Sequence, residues 1–304
     1  MALKAFAWAV VPAVGIAELL GHFYFSRRPP GLEDWRNLRP AVAALRKQGE
    51  LVVVAPRWAE PNARSAFGDE LMPVSDVARA DETRHARAIE VSAIGASAPE
   101  LQGWKVESER REGKFRLRTL SNPKPARVAF DFLEHVAEAT VVTRRGETET
   151  PCPWNPHARR DAGGLHGNPA FPAMRHECGQ GQGYFVGVTV VEDQEWRGRR
   201  CLWGEPSPGA TRVVRFHDVP LGSVIRGYAT LPWWIERELR GGDIELTAWV
   251  AGERVGTYVH ADGNGWKPFE FPLGARAGSR ADVEFHIKGT RGRDRQFCFQ
   301  ADTR

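Results

Sequence analysis

The pattern of residues 183 to 304 constrains the fold of this chain more than any other feature of its sequence. Short segments rich in β-branched and aromatic residues follow one another here, separated by turns such as Gly241-Gly242-Asp243 and Ala251-Gly252. Closely spaced short strands with such turns are typical of a β-sandwich or jelly roll. We therefore predict an all-β domain with strands at Tyr184–Val191, Arg200–Trp203, Thr211–His217, Ser223–Ala229, Asp243–Val250, Glu253–His260, Lys267–Phe271, Ala281–Lys288 and Gln296–Ala301.

All four cysteines of the chain lie in its second half. An even number of cysteines in one region fits two structural disulfides formed in an oxidising compartment. Four cysteines allow three pairings, and the sequence does not decide among them. We favour Cys152–Cys178, which would close an irregular loop, and Cys201–Cys298, which would tie the start of the β domain to its last strand. The soluble part is then extracytoplasmic, in the periplasm or at the cell surface.

The chain before residue 147 has a mixed pattern. Apolar positions between Asp34, a candidate N-cap, and Gly49 recur at helical spacing and predict a helix. Leu51–Ala55 and Ala88–Ile94 are predicted strands, and residues 76–87 between them look weakly helical. Further strand candidates flank a hairpin turn at residues 111–113 and continue to residue 144. This order predicts a small α/β or α+β domain at 29–146, separate from the β-sandwich at 183–304.

Residues 147–182 form a connector rich in Pro, Gly, His and Cys, with no helical or strand period. His157, His166, His176 and Cys178 are residue types that bind zinc, but their spacing matches no compact metal motif. A disulfide-closed loop with surface histidines is the simpler interpretation. We predict no metal site.

Residues 1–28 are predicted to form a signal anchor with one transmembrane helix. At about 1.5 Å per residue, the apolar run Ala5–Phe25 is long enough to cross a hydrocarbon core of about 30 Å. It ends without the small residues of a signal-peptidase site. Arg27 and Arg28 would favour a cytoplasmic domain by charge alone, so the orientation outside the cytoplasm rests on the cysteines.

Glu18 and His22 lie four residues apart in this run and share one face of a helix. Ionisable residues at membrane depth often mark contact with another membrane protein, which makes the pair a candidate docking surface for a polytopic partner. Alternatively, both side chains reach headgroup water.

Charge and motifs narrow the function. The formal net charge is +4, and arginines are spread along the chain rather than gathered in a basic stripe, so we predict no nucleic-acid partner. Gly179, Gly181 and Gly183 lack the strand-then-helix context of a dinucleotide site, and we predict no cofactor. Asp69 and Glu70 could form an acid/base pair, although surface acids are the simpler explanation. No residue is assigned as catalytic.

Tryptophans of the β domain are the most suggestive candidates for ligand binding. Trp249 alternates with core positions and is predicted to be buried, as tryptophans in a sandwich core often are. Trp233, Trp234 and Trp266 lie near strand ends, where flat aromatic faces can contact sugar rings or simply complete the core. Asp262 and Asn264 belong to an oxygen-rich turn that could join such a site or serve only as a hairpin turn.

Two parts of the chain resemble known families. Asp34-Trp35, LVVVAPRW, FGDELMPVSD and AIEVSAIG, between residues 34 and 95, resemble extracytoplasmic parts of bacterial membrane glycosyltransferases of the dolichyl-phosphate-mannose protein mannosyltransferase type. Those enzymes have many spans and a catalytic carboxylate between early spans, so the resemblance implies an accessory part without catalytic residues. RVVRFHDVPLG and RQFCFQAD, in the β domain, resemble a jelly-roll carbohydrate-binding module.

These observations together predict a membrane-anchored, extracytoplasmic, non-catalytic protein that binds glycan or a partner during assembly of surface glycans or glycoproteins. Two alternatives stay open. One is an extracytoplasmic glycan-active enzyme that uses carboxylates of the α/β domain. The other is a structural subunit of an envelope complex.

Overall fold

A computed structural model describes residues 2–26, 29–159, 171–179, 184–206, 208–239, 241–289 and 295–304. The chain forms two compact units. Unit 1 comprises residues 1–76 and 85–125, and unit 2 comprises residues 77–84 and 126–304.

Unit 1 is an α/β fold built on a four-stranded sheet of order β1-β2-β4-β3, in which only the β1–β2 pair is parallel. Parallel neighbours need a crossover, and the chain supplies it between β1 and β2. The elements are α1 (Ala2–Ser26), α2 (Leu32–Leu45), β1 (Leu51–Ala55), α3 (Glu60–Leu71), α4 (Val74–Val77, its last residue in unit 2), β2 (Arg87–Ala93), β3 (Lys105–Glu112) and β4 (Phe115–Ser121).

The core of unit 1 is centred on Trp35 of α2, which is almost completely buried. Its ring centroid lies 5.9 Å from that of Phe67 and 4.5 Å from that of Phe115, so one side chain joins α2, α3 and β4. Asp34 is not the N-cap that we predicted, because the helix begins two residues earlier, at Leu32, with Gly31 as its N-cap. From its third position, the Asp34 carboxylate accepts a hydrogen bond from Gly31 N at 2.8 Å.

The N-terminal segment is helical, as predicted, and forms α1. Among the residues described, however, none of the helices combines the length and the apolar character needed to cross a membrane. The transmembrane role of residues 1–28 is therefore not supported by the structure.

Unit 2 is a β-sandwich, as predicted. One sheet has the order β16-β13-β18-β11-β10-β9-β8, with β5 also pairing with β18, and the other has the order β15-β14-β17-β12-β6-β7. Its elements are β5 (Phe130–Asp131), β6 (Thr140–Arg145), β7 (Thr148–Pro151), β8 (Trp154–Asn155), β9 (Arg175–Glu177), β10 (Phe185–Glu192), β11 (Gly198–Gly204), β12 (Thr211–Pro220), β13 (Val224–Thr230), α5 (Trp233–Glu238), β14 (Ile244–Val250), β15 (Glu253–His260), β16 (Lys267–Pro272), β17 (Arg280–Gly289) and β18 (Cys298–Thr303).

The strands β10 to β18 match the segments predicted between residues 184 and 301. Residues 126–182 differ from expectation, because the longer segment of unit 2 begins at residue 126 rather than at 183. β6 pairs with β12 and thereby extends the second sheet, and β8 and β9 extend the first. Residues that the sequence assigned to the first domain and to a connector therefore complete the sandwich.

Both favoured disulfides are present, Cys152–Cys178 and Cys201–Cys298. The second joins β11 to β18, which also pair as neighbouring strands. Two disulfides within one unit indicate folding in an oxidising compartment.

Residues 77–84, which we call the strap, belong to unit 2 although unit 1 flanks them in sequence. The Asp81 carboxylate accepts a hydrogen bond from Tyr228 Oη at 3.1 Å and lies 3.4 Å from a guanidinium nitrogen of Arg226. It also accepts a hydrogen bond from Thr83 N at 3.0 Å, which forms a local turn. The predicted helix over residues 76–87 is wrong beyond Val77, because these contacts hold the segment in a non-helical course.

Candidate ligand-binding surface

An aromatic surface lies on unit 2, which we call the tryptophan surface: the exposed Trp196 and Arg237 with the half-buried Trp233 and Trp234. The Trp196 and Trp233 ring centroids are 4.2 Å apart, and Trp234 meets Trp233 edge to face at 6.1 Å. The Arg237 guanidinium carbon lies 5.1 Å from the Trp196 ring centroid and 5.0 Å from that of Trp233. Trp196 is 57% exposed, an unusual position for so large an apolar side chain outside a binding surface.

Two elements present these side chains. Trp233, Trp234 and Arg237 come from α5, and Trp196 comes from the turn between β10 and β11. The backbone of Trp196 has a φ of +60°, which is uncommon outside glycine, and its N–H donates to Asp193 O at 3.0 Å. Asp193 also accepts hydrogen bonds from the N–H groups of Glu195 and Arg197, so the turn is held on both sides of Trp196.

The buried carboxylate of Glu236 fixes the position of the helix that carries two of the rings of the tryptophan surface. Glu236 of α5 is fully buried, and its oxygens accept hydrogen bonds from His260 Nε2 at 2.7 Å, Gly263 N at 2.7 Å and Leu231 N at 3.0 Å. On the far side of the imidazole, Tyr258 Oη lies 3.0 Å from His260 Nδ1. This chain of hydrogen bonds fixes α5 against β15 and the turn that follows it.

The ionisation of this network follows from its burial and its hydrogen bonds. Burial acts to raise the pKa of Glu236, but the hydrogen bond and charge of His260 together with backbone N–H donors outweigh it and leave the pKa below its ordinary value. The carboxylate is therefore ionised at neutral pH. Burial, with the nearby Glu236 charge, raises the pKa of Tyr258 to about 12, so its hydroxyl stays protonated and can donate.

The predicted oxygen-rich turn lies beside the tryptophan surface. Asp262 is occupied by an ion pair with Arg295 at 2.6 Å and by a hydrogen bond from Gly241 N at 3.0 Å. A Cβ added at Gly265 would lie 3.5 Å from Gln194 Oε1, which places the turn against the loop that carries Trp196. Asn264 is half-buried on this turn.

Trp266 has a different environment from Trp233 and Trp234. Its ring stacks on Tyr228 at 5.4 Å, the Arg199 guanidinium carbon lies 5.2 Å from its centroid, and its Nε1–H donates to Ala80 O of the strap at 3.1 Å. These contacts engage the side chain within unit 2. Trp249, predicted to be in the core, is instead half-buried and stacks on His286 at 5.4 Å.

Candidates for metal binding and acid/base chemistry are dispersed. In the described part of the chain, no three His, Cys, Asp or Glu side chains come together as metal ligands. His176 is buried between Val136 O and Cys152 O, at 2.8 and 3.1 Å, and His166 lies outside the described residues. Asp69 and Glu70 are exposed and pair with Arg64 at 2.6 Å and Arg39 at 2.8 Å.

The proposed membrane-partner residues Glu18 and His22 both lie on α1 and are exposed. Their contact with a partner stays a prediction.

Sequence reasoning missed two residues of this surface. Trp196 sits in a short turn and carries no periodic signal, although an apolar residue flanked by Glu195 and Arg197 in a turn is itself unusual. Glu236 resembles any acidic residue of a helix, and its burial depends on β15 and on the turn at residues 261–265, which only the tertiary fold brings to it.

Comparison with known proteins places this chain in no family. No protein-family model and no curated protein matches it. The resemblance to mannosyltransferase-type proteins is therefore not shown.

Similar solved structures include carbohydrate-binding modules. The CBM51 of Clostridium perfringens GH95 in complex with methyl-galactose is 10% identical, with a TM-score of 0.26, over 38% of this chain and 81% of that one. CBM51-2 with the INT domains of Clostridium perfringens ZmpB, in complex with GlcNAc, is 6% identical, with a TM-score of 0.30, over 66% of this chain and 40% of that one. Likenesses at these scores carry no argument about the function of this chain.

Proposed function

We propose that unit 2 is a glycan-binding module and that the tryptophan surface is its binding site. The group formed by the exposed Trp196 and the half-buried Trp233 and Trp234, beside Arg237, carries this proposal. Aromatic faces suit the apolar C–H faces of sugar rings, and the Arg237 guanidinium and the Asn264 amide on the adjacent turn can hydrogen-bond hydroxyl groups.

The support beneath the rings favours binding over incidental exposure. A surface that holds its rings in one geometry loses little conformational entropy when a ligand docks. Glu236 supplies this order by linking α5 through hydrogen bonds to His260 of β15 and Gly263 of the adjacent turn, and Asp193 supplies it to Trp196. Trp266, whose ring and N–H are engaged within the unit, is left out of the proposed site.

A glycan array followed by titration of the best ligand tests this proposal. We expect Trp196→Ala to weaken binding by about tenfold or more while the circular-dichroism spectrum is unchanged, because the exposed ring contributes contact rather than core packing. Trp58→Ala is the matched control, since Trp58 of unit 1 is also 57% exposed. An array without signal, or equal weakening by both substitutions, would contradict the proposal.

We further propose that the chain acts beside a membrane enzyme of surface-glycan assembly, held to the membrane by α1. The apolar composition of α1 and its exposed Glu18 and His22 support this wider role. Extraction in mild detergent should recover a stoichiometric polytopic partner, and Glu18→Ala should reduce its recovery. A chain released by alkaline carbonate without detergent would contradict membrane attachment.

A further inference from the structure

A basic cavity lies on unit 1, remote in sequence from the tryptophan surface. Its volume is about 430 Å³, within the range of small-molecule sites, and its lining is dominated by charge. The lining carries four cations and one carboxylate: Arg110, Arg111, Lys114 and Arg116, with Glu109. Ser92, Gly95 and Phe115 complete it.

The strand register explains why the charges converge. Arg116 of β4 lies opposite Ser92 of β2 on one side and opposite Arg111 of β3 on the other. Directly opposed residues of neighbouring strands project from the same face of a sheet. Two arginines and a serine hydroxyl therefore form one rung across three strands.

An arginine opposite an arginine destabilises an antiparallel pair unless a counter-charge lies nearby. Lys114 has such a partner in Asp34, at 2.8 Å. Within the described residues, Arg111 has no ion pair, and the neutral acceptors of Arg116 are Ser92 Oγ, Ala96 O and Ser97 Oγ at 3.5, 3.1 and 3.0 Å. Arg116 Nε is buried and, in the part of the chain that the structure describes, has no hydrogen-bond partner. The two arginines of the rung thus present positive charge to the cavity.

On the neighbouring rung, by contrast, the arginine is neutralised by a buried carboxylate. Glu90 of β2 lies opposite Arg118 of β4, is fully buried, and forms an ion pair with it while accepting a hydrogen bond from Ala98 N at 2.6 Å. The chain therefore neutralises Arg118 of this sheet face internally, whereas among the described residues Arg111 and Arg116 of the next rung form no ion pair with an acidic side chain. Glu90 and Arg118 form a structural ion pair, whereas the charges of Arg111 and Arg116 are available to an anion from solution.

We propose that this cavity binds a phosphate monoester group. A dianion would neutralise the opposed Arg111 and Arg116, and planar guanidinium groups donate paired hydrogen bonds to phosphate oxygens. The rest of the cavity leaves space for the group that carries the phosphate, which is either a soluble sugar or a lipid.

Calorimetric titration of the full chain in non-ionic detergent tests the site with three probes: inorganic phosphate, glucose 1-phosphate and dihexanoyl phosphatidic acid below its micelle concentration. We expect saturable binding of one phosphate per chain, weakened as ionic strength rises. Arg111→Gln and Arg116→Gln should each weaken it by about tenfold or more. Arg111 is exposed on β3, so its substitution keeps the test valid if the Arg116 variant fails to fold.

Arg254→Gln is the control, because Arg254 is an exposed arginine on β15 of unit 2. Trp196→Ala should leave phosphate binding unchanged, which keeps this result separate from that of the proposed glycan site. Tighter binding of glucose 1-phosphate or of the lipid would support the site and identify the source of the phosphate. Absence of saturable binding, or equal weakening by Arg111→Gln and Arg254→Gln, would overturn the proposal.

Discussion

At the scale of single residues, the Glu236 carboxylate joins three parts of unit 2 at one point. It lies on α5 and accepts hydrogen bonds from the end of β15 and from the turn after it. The tryptophans of α5 are held through this carboxylate rather than through their own ring contacts alone. Neutralisation of the buried Glu236 carboxylate should therefore alter the tryptophan surface.

The pH dependence of the surface follows from the lowered pKa of Glu236. A carboxylate whose pKa is lower in the folded state stabilises the fold above its ordinary pKa, here 4.5, and loses that contribution as the pH falls through the folded value. We expect glycan binding and tryptophan emission to be constant from neutral pH to about 4.5 and to be lost below it. Loss of binding at a pH above 4.5 would contradict this role of Glu236.

Glu236→Gln should reproduce the acid effect at neutral pH. The amide replaces the charged acceptor of His260 Nε2, and loss of a buried hydrogen bond to a charged group costs about 1.5 to 3 kcal/mol of the free energy of unfolding. Glu238→Gln is the control on the same helix, since Glu238 is exposed. Urea titrations of both variants measure the difference, and equal midpoints would contradict it.

At the scale of elements, the sandwich strands were predictable and the segments that complete the unit were not. β10 to β18 were predictable as short runs rich in β-branched and aromatic residues between turn residues, a signal that depends only on local sequence. The short strands β5, β8 and β9 and the strap have no such period and take their course from distant partners. Likewise, Trp233 and Trp234 could be suspected from their positions, but their assembly with Trp196 depends on tertiary structure.

The strap gives a prediction at this scale. Asp81→Ala removes the buried carboxylate that pairs with Arg226 and accepts from Tyr228, two half-buried groups that hold the strap on unit 2. We expect a loss of about 2 to 4 kcal/mol in the free energy of unfolding of unit 2, with faster amide exchange over residues 77–84. Asp69→Ala, at an exposed ion pair, should change stability by less than about 1 kcal/mol. Unchanged exchange in the strap of the Asp81 variant would show that other contacts hold it.

At the scale of the whole molecule, the two units differ in what stabilises them. Unit 1 has its own helix-covered sheet and no cysteine, whereas both disulfides lie in unit 2. Because disulfides restrict the unfolded chain, their loss lowers the stability of the unit that contains them, typically by about 2 to 4 kcal/mol for each bridge.

We therefore expect calorimetric unfolding to show two transitions, of which a reductant lowers only one. Fluorescence or exchange at residues of unit 2 should follow the shifted transition, and residues of unit 1 should follow the other. The Cys201→Ala/Cys298→Ala variant provides the control, because it should lower the same transition without reductant. A single transition that shifts as a whole would contradict this independence.

The strap also sets an order of events during synthesis. Asp81 is made 147 residues before Tyr228, and Ala80 is made 186 residues before Trp266. At about 5 to 20 residues per second, the ribosome needs roughly 7 to 30 s to supply the first of these partners. The strap therefore cannot form these contacts until the strands that carry Tyr228 and Trp266 have been synthesised. Residues 77–84 stay without their native partners for that time, although the residues of unit 1 on both sides of them are already available to fold.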